Sequence, residues 1–299
     1  MAKIIDGKKI AAEIREEIKQ KALDLKLTKG VTPGLALLLV GTNPASEIYV
    51  RSKIKACEEA GFNSFNHVMS DTATEEEVLA QIDHWNKDEN VHGILVQMPL
   101  PKHINEQKVI RAISPAKDVD GFHPENIGRL VIGLDSFVPC TPLGILEMIK
   151  RSGISLSGKH VVVVGRSNIV GKPIANLLYQ KKPEANAIVT ICHTGAQDLS
   201  RYTRDADVII AAVGKPNAIK ADDVKEGAVI IDVGINRVAD ETKPKGYRIV
   251  GDVDYEGVFD KVSAITPVPG GVGPLTIAML LSNTYKSAAS VAWCTVLFG

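Results

Sequence analysis

The chain has 299 residues, 45% of them hydrophobic and 23% charged, and its 35 basic residues balance 35 acidic ones. That length suits about two domains of roughly 150 residues, each long enough to bury a core. A formal net charge of zero argues against a basic groove for nucleic acid and against a polybasic membrane surface.

Residues 8–27 place Ile10, Ile14 and Ile18 at i, i+4 spacing among Lys and Glu, an amphipathic helix that Gly30 and Pro33 end. Leu35–Val40 is an unbroken apolar run, as expected of a buried parallel strand. A helix over 46–60, a strand over 64–69, a helix over 74–86 with an acidic first turn and a strand over 93–97 complete a β-α-β-α-β pattern. Residues 98–142 hold six prolines and read as ordered loop with one helix near 105–112. Such loops at strand ends are where α/β sites form. Residues 142–152 read as a connecting helix. The second half opens on His160–Val164, a buried strand meeting Gly165, and continues with strands over 187–193, 207–213, 228–233 and 248–250, a helix over 170–181 and a final helix over 275–285. The fold expected is α/β with two α/β domains. The second is a doubly wound Rossmann-type parallel sheet.

Cys57, Cys140, Cys192 and Cys294 lie far apart with no CxxC, and the seven His show no metal-binding spacing, so neither a disulfide framework nor a metal site is expected. The N-terminus has no apolar signal core, and no apolar stretch reaches the ~20 residues of a membrane span. A cytoplasmic protein is the natural expectation. The apolar tail Ser287–Gly299, with Trp293 and Phe298, leaves two readings open: a segment docked on the body or a partner, or a disordered extension.

The turn Gly165–Pro173 (GRSNIVGKP) joins a buried strand to a helix. It departs from GxGxxG, with Ser167 in place of the second Gly and Gly171 one position late. Gly165 permits the tight turn, small Ser167 lets a phosphate approach the backbone, and the helix N-terminus offers N–H groups to an anion. NAD enzymes place Asp or Glu at the end of the next strand. Here that segment runs Ile191-Cys192-His193-Thr194-Gly195, without an acid. With Arg166 in the turn as a partner for a 2′-phosphate, this favours NADP. The plain alternative for Arg166 is a solvated turn residue.

Tyr49 and Lys53 are i, i+4 in the second helix, whose N-terminal half lies at the carboxyl edge of the sheet. A helical lysine is ordinarily a solvated charge. Gln97, at the end of GILVQ, and Asp118 and Asp120, in KDVDG, converge on the same edge, where a lysine of lowered pKa can serve as acid and base. On these residues alone the chain reads as an NADP-linked oxidoreductase with a Lys/Gln/Asp site.

Six segments go further: NPASEIYVRSK (43–53), GILVQMPLP (93–101), KDVDGFHP (117–124), VVVGRSNIVGKP (162–173), DVGIN (232–236) and TPVPGGVGP (266–274). On them the chain resembles the bifunctional methylenetetrahydrofolate dehydrogenase/methenyltetrahydrofolate cyclohydrolase family over about residues 3–286. The resemblance implies NADP-dependent oxidation of 5,10-methylenetetrahydrofolate to 5,10-methenyltetrahydrofolate, then hydrolysis to 10-formyltetrahydrofolate. The family's catalytic lysine falls on Lys53, its tuning glutamine on Gln97, its folate-packing aromatic on Tyr49 and its pterin-reading carboxylate on Asp120. Val96 and Met98 fall beside the pterin. Gly270, Gly271, Val272 and Pro274 fall on a folate-site loop, and Gly165, Arg166, Ser167 and Ile235 on the NADP site. Thr194 stands where family members often carry Ser as a 2′-phosphate contact, and it keeps the hydroxyl. The implied architecture is a folate-binding catalytic domain over 1–141 with a returning helix over 272–288, and an NADP-binding domain over 142–271. The chain after about residue 286 has no counterpart, residues 289–299 are a tail without an assigned role, and a homodimer through the Rossmann domain is implied. The competing readings are a dehydrogenase with little cyclohydrolase activity and a non-catalytic folate- or nucleotide-binding module.

Overall fold

A computed structural model describes residues 1–297, with side chains at all of these except Ala45 and 292–297. The expectation for the tail rests on Trp293 and Phe298, whose side chains lie outside those described. The chain divides into two compact units. A three-stranded unit comprises Ala12–Cys140 and the segment from Ile277 onward. A six-stranded unit comprises Met1–Ala11 and Thr141–Thr276.

The three-stranded unit is a parallel sheet in the order β3 (Asn63–Met69), β2 (Gly34–Val40), β4 (Gly93–Val96). All seven residues of β2 are buried, as a central parallel strand covered on both faces requires. One face packs Ala36, Leu38, Ile94 and Val96 against Val78, Ile82 and Trp85 of α3 (Glu75–Lys87) and Val109 of α4 (Glu106–Ala112). The start of α3 is set by a capping box: Thr74 Oγ1 accepts the Glu77 N–H at 3.2 Å, and Glu77 Oε2 accepts the Thr74 N–H at 2.8 Å. The remaining helices with residues here are α1 (Gly7–Lys29), α2 (Pro44–Glu59), α5 (Pro124–Val131), α6 (Cys140–Arg151), of which Cys140 alone lies in this unit, and α10 (Gly273–Leu297). Leu25 of α1 packs with Ala288 of α10. Helix α5 corrects the reading of 98–142, in which only one helix was expected. Pro124 sits in its first turn, where a missing N–H costs nothing, so a proline that read as a loop signal starts a helix.

The six-stranded unit is a parallel sheet in the order β1 (Lys3–Ile4), β11 (Ala264–Ile265), β8 (Val229–Asp232), β7 (Val208–Ala211), β5 (His160–Val164), β6 (Ile188–Cys192). The chain runs from β5 outward to β6, then crosses back to β7 and β8, so the strand order reverses beside β5. That is the switch point where open α/β sheets take ligands. The segment 248–250 does not join this sheet. It forms β10 (Tyr247–Val250), paired antiparallel with β9 (Asn236–Ala239) in a separate ribbon. The sheet is completed instead by β1 and β11, each too short to show a period. Among the described residues no helix is long and apolar enough to cross a membrane.

Buried His92 ties the N-terminal ends of β2 and β4 together: its Nδ1 accepts the Gly34 N–H at 3.0 Å. Burial holds its pKa below the ordinary 6.5, with nearby Lys117 acting the same way. The folded state therefore binds this proton less tightly than the unfolded chain. The contribution of His92 is present above the unfolded value and is lost as pH falls through the lower folded value. We expect the urea midpoint to drop between about pH 7.5 and about pH 5.5, and a smaller drop in His92→Gln.

Candidate active site

Lys53 projects from the middle of α2, half-buried, and its Nζ donates to Gln97 Oε1 at 3.0 Å. Gln97 immediately follows β4. Its orientation is set from the other end, where Nε2 donates to the Met98 carbonyl at 2.7 Å. The amide thus has to present oxygen, not nitrogen, to the amine. Burial pushes the Lys53 pKa below 10.5, while the field of Asp120 opposes that push. Asp120 is the mirror case: burial raises its pKa, and the charge of Lys53 offsets the rise. Each group is drawn toward its neutral form and held back by the other, the setting in which a lysine exchanges a proton closer to neutrality.

The KDVDG loop delivers Asp120 by committing its other polar residues to structure. Lys117 Nζ donates to the Trp85 and Asp88 carbonyls at 3.0 and 2.7 Å, at the C-terminal end of α3, where a cation also meets the negative end of the helix dipole. Asp118, buried, is committed to the loop itself. Its carboxylate accepts the N–H groups of Gly121 (3.1 Å), Phe122 (3.2 Å) and His123 (2.8 Å) and Asn126 Nδ2 (2.9 Å). Burial still pushes its pKa up to about 6. Gly121 sits at φ +77°, and a Cβ there would lie 2.6 Å from the Val138 carbonyl carbon. Only glycine lets this loop lie against that segment.

Two residues of this cluster are not among those that the sequence motifs assign to the site. Cys140 is buried, and its thiol donates to the Val119 carbonyl at 3.4 Å. Burial and the adjacent Asp120 push its pKa well up, so it is a neutral thiol and not a nucleophile. Buried Asn283 of α10 donates to the carbonyls of Val119 (2.8 Å) and Val138 (3.0 Å). A lone amide among the apolar residues of that helix is the one hint its sequence offers.

Tyr49 is exposed, one turn before Lys53 on α2. The side chain of Val96 is buried in the core and Met98 packs against its edge. Gly270, Gly271, Val272 and Pro274 belong to the six-stranded unit. There Lys8 donates its N–H to the Gly270 carbonyl at 3.1 Å and Val272 is buried.

In the six-stranded unit, Gly165 ends β5 at φ +137°, and a Cβ would run into the Ala212 carbonyl just past β7. Gly171 begins α7 (Gly171–Leu178) with its Cα against the backbone of Gly165 and Arg166. The absent side chains leave a bare backbone cradle at the switch point, which fits a dinucleotide phosphate. Ser167 has a more specific role than small size: its Oγ accepts the Val170 and Gly171 N–H groups at 3.1 and 3.2 Å and caps the turn. Arg166 and Thr194 are exposed at the ends of β5 and β6, and Ile235 is 58% exposed beyond β8. No acid ends β6.

Asp118→Ala would leave the Phe122 and His123 N–H groups and one donor of the buried Asn126 amide without their acceptor, while Gly121 keeps the Asp118 backbone carbonyl. We expect a loss of about 3 kcal/mol or more in urea denaturation.

Residues 5–120 match the family model of the tetrahydrofolate dehydrogenase/cyclohydrolase catalytic domain, and residues 139–292 match that of the NAD(P)-binding domain of the same family. The chain is 58% identical over 286 residues to the bifunctional protein FolD of Chlorobium luteolum, covering 95% of this chain and 97% of that one. Among solved structures it resembles the bifunctional methylenetetrahydrofolate dehydrogenase/cyclohydrolase FolD of Campylobacter jejuni, at 51% identity and a TM-score of 0.91, over 97% of this chain and 100% of that one. It also resembles the Trypanosoma brucei enzyme complexed with NADP and an inhibitor, at 38% identity and a TM-score of 0.90, over 97% and 98% of the two chains.

Proposed function

The chain belongs to the tetrahydrofolate dehydrogenase/cyclohydrolase family, and we propose that it oxidises 5,10-methylenetetrahydrofolate with NADP and then hydrolyses the methenyl product to 10-formyltetrahydrofolate. In the first step the methylene carbon loses a hydride and becomes a methenyl cation; NADP, held at the Gly165–Gly171 turn, would supply the hydride acceptor. In the second, water adds to that carbon, a proton leaves, and the ring opens to the formyl group.

The observation that carries the hydrolytic half is the 3.0 Å hydrogen bond from Lys53 to Gln97. It aims an amine of lowered pKa from a half-buried position, suited to positioning the water and moving its proton. Asp120, held by the loop that Asp118 organises, is the carboxylate suited to the paired N–H donors of a pterin edge. Tyr49, Val96 and Met98 are the assigned pterin neighbours, and Gly270, Gly271, Val272 and Pro274 further folate contacts. The intact lysine–glutamine pair favours the bifunctional reading over a dehydrogenase with little cyclohydrolase activity.

On the cofactor side we assign Gly165, Arg166, Ser167, Thr194 and Ile235. The Arg166 guanidinium and Thr194 hydroxyl favour a 2′-phosphate, and no carboxylate stands at the end of β6 to hold a free 2′-hydroxyl. We also assign a homodimer through the six-stranded unit. Its edge strand β6 exposes Ile188 and Ile191, an apolar unpaired edge of the kind a second copy covers. Light scattering should then give twice the chain mass.

Lys53→Met should lower methenyltetrahydrofolate hydrolysis by about a hundredfold or more with the fold intact by circular dichroism. Hydrolysis at the wild-type rate would remove the role assigned to Lys53. Arg166→Ala should weaken NADP binding by about tenfold while leaving NAD binding unchanged, by calorimetric titration.

A further inference from the structure

Asp252 follows the antiparallel ribbon and is fully buried. Nothing in its surroundings is a reacting group, yet every polar atom it has is committed. Its carboxylate accepts the backbone N–H groups of Val213 (2.6 Å), Gly214 (2.9 Å) and Lys215 (3.0 Å), and Asn236 Nδ2 at 2.9 Å. Its carbonyl accepts the N–H groups of Ala218 and Ile219. Its own N–H donates to Asp232 Oδ1 at 2.9 Å. Asp232, the last residue of β8, is the second hub: its carboxylate also accepts the N–H groups of Gly234 (2.9 Å) and Val253 (3.0 Å). Its own N–H is held by Thr266 Oγ1 at 2.7 Å.

The placement of these bonds is what matters. The loop 213–215 leaves β7 directly after Ala212, whose carbonyl lies against Gly165 of the cofactor turn. Exposed Ile235 stands between Gly234, tied to Asp232, and Asn236, tied to Asp252. An apolar side chain held out to solvent by clamps on both neighbours is arranged to meet a ligand surface.

We propose that Asp252, with Asn236 as its second anchor, is a positioning residue of the cofactor site: it aligns the loops leaving β7 and β8 so that Val213–Lys215 and Ile235 form a dinucleotide-binding surface before the cofactor arrives. Asp252 does not itself touch the cofactor. The inference rests on the cofactor assignment made above, and it places Asp252, Asn236 and Val213–Lys215, none of them in that assignment, in the cofactor's service.

The two expected activities separate this role from simple structural damage, because hydrolysis of methenyltetrahydrofolate needs no dinucleotide. In Asp252→Asn, one acceptor oxygen becomes an amide nitrogen facing N–H donors. In Asn236→Ala, the Nδ2 donations to the Asp252 carboxylate and to the Gly251 carbonyl (3.1 Å) are lost and the three backbone bonds to Asp252 remain. For both, NADP affinity is measured by calorimetric titration of the folded protein with NADP alone, and hydrolysis is measured without dinucleotide. The expected result is about tenfold or greater weakening of NADP binding in Asp252→Asn, a smaller weakening in Asn236→Ala, and hydrolysis within about twofold of wild type in both. NADP binding as in wild type, or hydrolysis falling in step with binding, overturns the proposal. Should Asp252→Asn fail to fold, Asn236→Ala alone decides it on the same criteria. A wild-type chain that neither binds NADP nor hydrolyses methenyltetrahydrofolate would instead overturn the function on which the proposal rests.

Discussion

Buried carboxylates saturated by backbone N–H groups are the interaction on which both units depend. An isolated carboxylate removed from water is very costly, and several N–H donors converging on it recover much of that cost. Such convergence is possible in few backbone arrangements, so satisfying the charge selects the loop conformation. Asp118 does this in the three-stranded unit by gathering Gly121, Phe122 and His123. Asp232 and Asp252 do it in the six-stranded unit for the loops beyond β7 and β8. All three act on irregular segments, where no ladder partner exists for the backbone.

With the loops set this way, the reactive group requires little more. Lys53 needs burial to lower its pKa and a partner to aim it. Partial enclosure of its ammonium supplies the first and Gln97 the second. Asp120 limits how far the lysine falls, as the lysine limits how far Asp120 rises. The neutral Cys140 thiol and the Asn283 amide hold the backbone from which Asp120 projects. The site is thus a small charged pair inside a larger neutral brace, and removing the brace exposes the pair to water, where their mutual influence weakens.

Much of this was legible in the linear chain wherever burial imposes a period or a run. The apolar stretches 35–40 and 160–164 became the central strand of one sheet and an inner strand of the other. Lys53, Gln97 and Asp120 could be grouped because strand ends in a parallel sheet share one edge. What was not legible had short or non-local causes. Strand β1 is two residues long and is defined by its partner β11, some 260 positions away. The segment 248–250 has the composition of a sheet strand, but it pairs with β9 because the chain doubles back there before reaching the larger sheet.

Side-chain roles divide the same way. Residue identity and hydrophobic patterning are local properties, so the linear chain already tells which chemical groups are present and roughly which edge they occupy. The packing of distant segments decided that, of two aspartates separated by one residue, Asp118 is spent on the loop and Asp120 acts on the lysine. It likewise decided that Ser167 is a cap, and that Cys140, Asn283, Asp232 and Asp252 are braces. A carboxylate, hydroxyl or thiol has the same identity whether it meets substrate or backbone. Which of these it meets depends on where its neighbours, often more than a hundred positions away, are brought by the packing of the sheets.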